Sequence, residues 1–262
     1  MSNKLPISAL VASYNEGHLL EDCLKSIQFC DEIYFVNLGS KDNSVEIAKK
    51  YATTVEEFKK VPRIEDVHPL FIPKLKYDWF ILIDPDERIM PALAEDIKNT
   101  LETAPPELAV IRVPMFNYFK GKKLKGTVYG GVVYARLLYK KQGVTIDDEV
   151  HAGIKVKEGY LRKKIRFTGE NYDKHFWCNS WKQLFDKHKR YLQGEGKAQY
   201  NAGKRYSLNK QWHDSIIRFY YSFKTKEGYK DGLTGFLLSL MAARYEFLSW
   251  RSLRRYEKEI NS

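Results

Sequence analysis

The stretch YDWFILIDPDERIMP, residues 77–91, places five apolar residues directly before a polar turn. Residues 79–83 suit a buried strand, because a short apolar run bounded by turn signals is typical of a strand covered on both faces. Pro85 fixes its own φ and donates no hydrogen bond, which makes the turn stiff. Asp84 and Asp86 stand two residues apart, and in extended backbone such side chains point the same way. We therefore expect both carboxylates to face one bound cation or its ligand.

Strands and helices alternate before this stretch. Apolar runs at 7–12 and 33–36 predict two more strands, and TVEEF at 54–58 indicates a third. Helical periodicity follows the first two of them, at 19–27 and 44–52. This alternation predicts an α/β fold with an open, mostly parallel sheet and helices on both faces.

Polar segments follow three of the predicted strands. They are Ser13–Glu16, Asn37–Asp42 and Asp84–Glu87. In open α/β sheets, ligands bind beyond the carboxyl ends of the strands, so these segments are the candidate site. An isolated Asp-x-Asp also occurs in solvated surface turns, but its position behind an apolar strand favours a metal or ligand site here.

The rest of the chain predicts fewer regular elements before a helical tail. Residues 59–76 read as a loop, residues 92–103 as a helix and residues 109–119 as a strand, and residues 120–143 read as a hairpin over one end of the sheet. Long helical patterns begin near residue 178. We predict a catalytic domain at 1–177 and a helical C-terminal extension at 178–262.

Composition limits the class of protein and its partners. A chain of 262 residues can bury one main core. The net charge of +11, from 44 Lys and Arg against 33 Asp and Glu, favours polyanions such as nucleic acid, anionic lipid or a phosphorylated substrate, although a basic surface also simply maintains solubility. No signal peptide or spanning segment is evident, so we expect a cytoplasmic protein. Three cysteines without metal spacing predict reduced thiols.

Three motifs in order carry a family resemblance. ISALVASYNE (7–16), DEIYFVNLGSKDNS (31–44) and YDWFILIDPDERI (77–89) resemble the nucleotide-diphospho-sugar-binding half of family 2 glycosyltransferases, which have the GT-A fold. The later stretches FNYFKGKKLKG, YARLLYKK and EVHAG are similar to the branch that contains lipopolysaccharide-core glucosyltransferases. The resemblance covers roughly the first 190 residues.

The resemblance implies a metal-dependent, inverting transferase that uses Mn²⁺ or Mg²⁺. It implies a nucleotide-sugar donor, with a UDP-sugar favoured, and a glycan or lipid-linked acceptor of the cell-surface polysaccharide or lipopolysaccharide type. Asp86 is the implied metal ligand and Asp84 the implied sugar or ribose contact. Asn37 stands where the family commonly has aspartate, which leaves the donor base open. The implied donor-binding residues are Ser13, Tyr14, Asn15, Glu16, Asn37, Asp42, Asp84 and Arg136; for Asp42, a helix cap is the alternative.

The family usually places its catalytic acid near TIDDEVHAG, residues 145–153. We rank Asp148 and Glu149 above Asp147 as the general base, against the alternative of a solvated acidic turn. His151 is the predicted second metal ligand, with a structural histidine as the alternative. His175 carries the same two interpretations.

The tail leaves several partners open. Residues 232–256 carry an apolar stripe at helical spacing and a basic end. Packing on the catalytic domain or in a homo-oligomer is favoured, and peripheral contact with the inner face of the cell membrane is the second use. A basic nucleic-acid-binding protein without catalysis is the alternative function. No helix-turn-helix, RRM or zinc pattern supports it, so we expect no nucleic acid. The absence of GxGxxG and of a phosphate-binding P-loop argues against NAD binding and nucleotidyl transfer.

Overall fold

The computed structural model describes residues 4–61, 64–146 and 154–260. The chain divides into two compact units. The first comprises Met1–Met115 with Val133–His175, and the second comprises Phe116–Val132 with Phe176–Ser262. Residues 116–132 thus group with the C-terminal helices. A catalytic domain at 1–177 with an extension at 178–262 stays a prediction.

The strands of the described residues run through most of the first two-thirds of the chain. They are β1 (Leu5–Ser13), β2 (Cys30–Asn37), β3 (Thr54–Glu57), β4 (Trp79–Leu82), β5 (Glu87–Ile89), β6 (Leu108–Phe119), β7 (Lys122–Lys123), β8 (Val133–Lys140), β9 (Val144–Ile146), β10 (Ile154–Val156), β11 (Leu161–Lys164) and β12 (Asp173–Cys178). The α-helices are α1 (Gly17–Ser26), α2 (Ser44–Tyr51), α3 (His68–Phe71), α4 (Pro91–Glu102), α5 (Trp181–Asn201), α6 (Leu208–Tyr220) and α7 (Gly232–Ile260).

One mixed sheet contains most of these strands. Its order is β3-β2-β1-β4-β8-β6-β12-β5, with β7 and β11 also paired to β6. The strands from β3 to β4 are parallel, whereas β8 is antiparallel to both β4 and β6. β9 and β10 form a separate antiparallel pair. The predicted α/β sheet with flanking helices is therefore confirmed.

Strand β1 shows why the predicted runs are apolar throughout. Ile7, Ala9 and Val11 pack in the core beside α1, α2 and α4, while Leu10 and Ala12 pack in a second core on the other side. Both faces of the strand are covered, so alternate residues all lie away from water. The carboxyl end of β1 then carries polar residues at the edge of the sheet.

Two predictions about connecting segments are corrected. The segment predicted as a loop contains α3 and two short 3₁₀ helices, Ile64–Val67 and Ile72–Lys74, because Val67, Phe71 and Ile72 are buried in the second core. Residues 120–143 were predicted as a hairpin over one end of the sheet; instead β7 pairs with the end of β6, and β8 lies between β4 and β6. Its residues 137–139 are buried on successive positions, as in a central strand.

The second unit has a small core of its own. Phe119, Leu124, Cys178, Leu184, Leu238 and Met241 are its buried members. α5 and α6 begin at serines whose hydroxyl oxygens accept from backbone N–H groups: Ser180 from Gln183, and Ser207 from Lys210. Such caps satisfy N–H groups that have no partner within the helix.

The cysteines and the helices were each the subject of a prediction from the sequence. Cys23, Cys30 and Cys178 are buried and free, as predicted. Within the described ranges, no helix combines the length and apolar composition needed to cross a membrane.

Phe80 offers a test of the sheet core. Its side chain is completely buried and stacks on Tyr139, with ring centroids 5.4 Å apart. Phe80→Ala should lower the free energy of unfolding by about 3–5 kcal/mol, because it leaves a cavity in a close-packed core. Urea denaturation measures this loss. Leu70→Ala, at a residue that is 50% exposed, is the control and should change stability by less than about 1 kcal/mol. Equal losses in the two variants would contradict the described packing.

Candidate active site

The loops after β1 and β2 are bound to each other. Asn15 has a φ of 56°, a left-handed conformation that asparagine tolerates better than most residues. Its Oδ1 accepts from the backbone N–H of Lys41 at 2.7 Å, and its own N–H donates to Ser40 Oγ at 3.0 Å. Asn15 therefore fixes the polar segments of both loops at one edge of the sheet.

Asn37 ends β2 and is almost completely buried. Its Nδ2 donates to Glu57 Oε2 at 2.7 Å, and its Oδ1 accepts from the Ser40 N–H at 3.0 Å. Glu57 is its register partner on β3 and presents an exposed carboxylate beside it. Sequence reasoning missed Glu57; its place one residue before the end of the predicted strand 54–58 was the available signal. The role of Asn37 as a donor contact stays a prediction.

Asp42 links the first two helices. Its Oδ2 accepts from the Gly17 N–H at 2.8 Å, and its Oδ1 accepts from the backbone N–H and hydroxyl of Ser44. Burial acts to raise the pKa of Asp42, but hydrogen bonds from Ser44 and Gly17 outweigh it and lower the pKa. Asp42 thus accepts from the first N–H group of both α1 and α2, although the N-cap residues themselves are Glu16 and Asn43. Both the helix-cap role and direct contact with substrate stay predictions.

Hydrogen bonds from neighbouring residues fix the acidic turn after β4. Glu87 Oε2 accepts from the Asp84 N–H at 3.0 Å, so Glu87 supports the turn. Arg88 Nη1 donates to the carbonyl oxygens of Pro85 and Glu87, both at 2.6 Å. Arg88 was not predicted as a site residue, because an arginine next to an acidic motif is ordinarily a surface residue.

Asp86 meets a histidine at this turn. His175 Nε2 and Asp86 Oδ2 lie 3.4 Å apart, and both side chains keep about a fifth of their surface exposed, 20% and 23%. Antiparallel pairing of β12 with β5 places His175 opposite Glu87. The structure therefore places His175 beside Asp86, whereas His151 lies outside the described residues.

Negative charge is concentrated around Asp86. Burial, and then the charge of Asp86, raise the pKa of Glu16 at the end of β1. Burial, and then the charge of Asp173, raise the pKa of Glu87 well above its usual range. The ends of β1 and β4 therefore share one acidic region, which an added cation would stabilise.

Asp173 is the most buried acid of this region. It is 1% exposed, and neither carboxylate oxygen makes a hydrogen bond of normal geometry. Burial raises the pKa of Asp173 to about 7; the nearby His175 and the Arg88 backbone N–H oppose this increase, and Asp86 and Asp84 add to it. Asp173 and His175 alternate on β12, a period-2 pattern that could have indicated a shared face.

The remaining predicted residues fall into two groups. Ser13 is buried and donates to Glu16 Oε2 at 3.2 Å, and the ring of Tyr14 lies 3.8 Å from Lys60 Nζ. Arg136 is exposed on β8, where it donates to the Ile154 carbonyl at 3.1 Å. The acidic residues ranked for the general base lie outside the described residues: Asp147, Asp148 and Glu149.

The donor set of Asp86 and His175 fits a divalent cation. Mg²⁺ and Mn²⁺ prefer carboxylate oxygens, and an imidazole nitrogen suits a transition metal better than Mg²⁺. Across residues 4–61, 64–146 and 154–260, no group of three or more His, Cys, Asp or Glu side chains is arranged to hold a metal. Two protein ligands would leave the other coordination positions to ligand oxygens and water, as Mg²⁺ sites commonly do.

Grooves elsewhere in the molecule do not contain this chemistry. Recesses of about 620 and 750 Å³ in the second unit are lined mainly by the helices α5 to α7 and contain none of the residues above. Their lining is rich in exposed Lys and Arg. The strand-end geometry of the first unit, rather than cavity size, identifies the candidate site.

Comparison with known proteins finds a matching family and a relative of similar length. The model of the family described as "Glycosyl transferase family 2" matches residues 8–167. The lipopolysaccharide core biosynthesis glycosyltransferase LpsC of Rhizobium meliloti (strain 1021) is 27% identical over 254 residues, which cover 95% of this chain and 92% of LpsC.

Solved structures show a similar fold. S. aureus TarS 1-349 in complex with UDP-GlcNAc has a TM-score of 0.50 and 12% identity, over 97% of this chain and 92% of that one. The mannosyltransferase PcManGT of Pyrobaculum calidifontis, in complex with GDP-Man and Mn²⁺, has a TM-score of 0.49 and 14% identity, over 93% of this chain and 74% of that one. The predicted GT-A fold is confirmed.

The burial of Asp173 predicts how stability depends on pH. Its folded pKa of about 7 exceeds the ordinary value of 3.8, so the native state holds a proton that the unfolded chain releases. Wild-type stability should therefore fall as pH rises from about 4 to about 7, and this loss should persist above pH 7. Asp173→Asn removes the charge and should make the protein more stable than wild type at about pH 8, with little difference at about pH 4.

Urea denaturation in the presence of a chelator measures both profiles. Glu158→Gln, at an exposed turn, is the matched carboxyl-to-amide control and should follow wild type. Parallel profiles for Asp173→Asn and wild type would show that this carboxylate is not buried as described.

Proposed function

The chain belongs to glycosyl transferase family 2, and from that premise we propose that it transfers a sugar from a nucleotide-diphosphate donor in a metal-dependent, inverting reaction. One observation carries the proposal: Asp86 and His175 lie 3.4 Å apart in an acidic region that also contains Glu16 from the end of β1. Parallel strands bring these loops to the sheet edge where ligands bind in α/β folds. Family membership also favours a transferase over the nucleic-acid-binding alternative.

The metal site is proposed to use Asp86 and His175 as protein ligands. When bound, Mn²⁺ or Mg²⁺ supplies a positive charge that stabilises the departing diphosphate. The chain orients these ligands through Arg88 and Glu87, which fix the turn, and through the β5–β12 pairing, which fixes His175. Ligands that are held by neighbouring groups bind metal with less loss of conformational freedom.

The donor nucleotide is proposed to lie over the ends of β1, β2 and β3. Both polar atoms of the Asn37 side chain already form hydrogen bonds: Nδ2 donates to Glu57, and Oδ1 accepts from the Ser40 N–H. The exposed carboxylate of Glu57 is therefore the better acceptor for a base N–H group. Uracil offers one such imide N–H, which keeps a UDP-sugar as the favoured donor. Asp84 is proposed to contact the ribose or sugar, and Arg136 to face the diphosphate as a cation.

Inversion requires one general base and no covalent intermediate. A carboxylate removes the proton of the acceptor hydroxyl while the bond between the anomeric carbon and the phosphate oxygen breaks. We propose Asp148 or Glu149 for this role, with His151 as a neighbouring group. The acceptor is proposed to be a glycan or lipid-linked sugar of the lipopolysaccharide-core type, since the LpsC similarity extends over nearly the whole chain.

Substitution of the two ligands tests the metal site. Asp86→Asn and His175→Ala should each lower kcat/KM for the donor by about 10²-fold or more, because charge on the leaving diphosphate is then poorly stabilised. Release of the nucleotide product from a panel of UDP-, GDP-, dTDP- and CMP-sugars with Mn²⁺ measures activity; the first three release a nucleoside diphosphate, and the CMP-sugar releases CMP. The increase in melting temperature caused by Mn²⁺ with nucleotide should also disappear.

Matched controls separate this role from general damage. Glu46→Gln and His213→Ala change an exposed carboxylate and an exposed histidine, and should leave both readouts near wild type. Activity that survives in Asp86→Asn, or that needs no divalent ion in wild type, would refute the proposed metal site.

The general base is tested separately. Asp148→Asn or Glu149→Gln should lower kcat by about 10²-fold or more and leave the KM of the donor nearly unchanged, since the base acts only when the acceptor hydroxyl reacts. Proton NMR of the product should show the anomeric configuration opposite to that of the donor. Retained configuration would rule out single displacement. Full activity of both variants would show that neither Asp148 nor Glu149 is the general base.

A further inference from the structure

The hairpin formed by α6 and the first half of α7 exposes large apolar side chains. Ile216 is 64% exposed and Leu233 is 73% exposed, although both are fully apolar. Single exposed apolar residues are ordinary, but a contiguous group of them marks an interaction surface. We call this group the hairpin patch; its members are Trp212, Ile216, Tyr220, Leu233, Leu237 and Leu240.

Helical spacing and ring contacts join these residues into one surface. Trp212, Ile216 and Tyr220 follow each other at every fourth position of α6, so they form one ridge. The seam between the two helices is aromatic: Trp212 packs on Phe247 at 4.8 Å, and Phe219 packs on Phe236 at 5.6 Å. The patch extends to both sides of this seam.

The opposite side of α7 is already occupied. Leu238 and Met241 are buried in the small core of the second unit. Leu233, Leu237 and Leu240 lie on the other side of the helix, at the spacing of one helical face. The patch is thus additional to the apolar surface that this unit needs for its own core.

The turn between α6 and α7 is basic. It contains Lys224, Lys226 and Lys230, and its two acids are already engaged. Asp231 accepts from the backbone N–H groups of Lys125 and Gly126, and Glu227 pairs with Lys230 at 2.7 Å. Within the described part of the chain, neither Lys224 nor Lys226 forms an ion pair.

We propose that the hairpin patch and its lysine turn dock on a bilayer surface that carries anionic headgroups. Trp and Tyr beside aliphatic residues suit the boundary between headgroups and acyl chains, and lysines next to them are attracted to anionic lipid phosphates. A second copy of the chain is a poorer occupant. The same surface on a second copy carries the same lysines, so it offers the turn no surface of opposite charge.

Vesicle flotation tests the proposal with the full-length protein. The wild type should float with vesicles of phosphatidylglycerol and phosphatidylcholine, bind less at high salt, and bind weakly to phosphatidylcholine alone. The double substitution Ile216→Ser and Leu233→Ser should lower the partition coefficient by about tenfold or more, because it removes two inserted apolar side chains. Lys224→Glu with Lys226→Glu should cause a loss on the order of tenfold that is confined to anionic vesicles.

Matched controls use exposed residues outside the patch. Leu161→Ser removes an exposed leucine on β11, and Lys49→Glu with Lys50→Glu reverses two exposed charges on α2; both should float like wild type. Donor hydrolysis in the absence of vesicles should be unchanged in the patch variants. The membrane proposal and the proposed catalytic function can therefore be contradicted separately. A wild type that does not float would overturn the proposal, as would a dimer in analytical ultracentrifugation that the patch substitutions dissociate while flotation is unaffected.

Discussion

A buried guanidinium holds the acidic turn on which the candidate site depends. Arg88 is 8% exposed, and its Nη atoms donate to the carbonyl oxygens of Pro85 and Glu87 in the turn and of Leu19 in α1. Burial lowers the pKa of Arg88, but arginine starts from so high a value that it remains charged at neutral pH. A planar fork of fixed donors can hold several carbonyl oxygens at once, which a lysine cannot do. The direction of Asp84 and Asp86 therefore depends on a residue that bears no direct part in the proposed chemistry.

The charge of Arg88 does not balance the acids around it. Asp84, Asp86, Glu87 and Asp173 all contribute to raised pKa values in this region, and the pKa of Asp173 reaches about 7. Such repulsion costs stability in the folded state. A cation bound at Asp86 and His175 would relieve it, so the same arrangement that weakens the metal-free protein favours metal binding. The acids around Asp86 therefore lower the stability of the metal-free fold at the residues that the proposed function needs.

The fold was largely predictable because its strands are apolar runs that end in polar turns. β1, β2 and β4 were identified in this way, and the resemblance of their terminal motifs indicated the family. Residues of the site were harder to predict where they come from distant elements. Asp173 and His175 reach Asp86 through the pairing of β12 with β5, about ninety residues apart in the sequence, which no local pattern encodes. Glu57 was missed for a similar reason, since only the β2–β3 register places it beside Asn37. The position of β8 was predicted wrongly because the glycines before it indicate turns, whereas the burial of its three consecutive residues 137–139 follows from its place between β4 and β6.

The net charge of +11 conceals two opposite local environments. In the first unit, acidic side chains lie together at the ends of parallel strands, where their combined negative charge attracts a cation. In the second unit, the lysines of the turn between α6 and α7 are not neutralised by their acidic neighbours, because the backbone and a third lysine have already engaged those acids. A basic composition alone therefore suggested nucleic acid as readily as lipid or phosphate. The positions of the acids and lysines are the basis of the two proposals: carboxylates at a strand edge suit a divalent ion, whereas lysines beside exposed Trp and Tyr suit a surface that is both apolar and anionic.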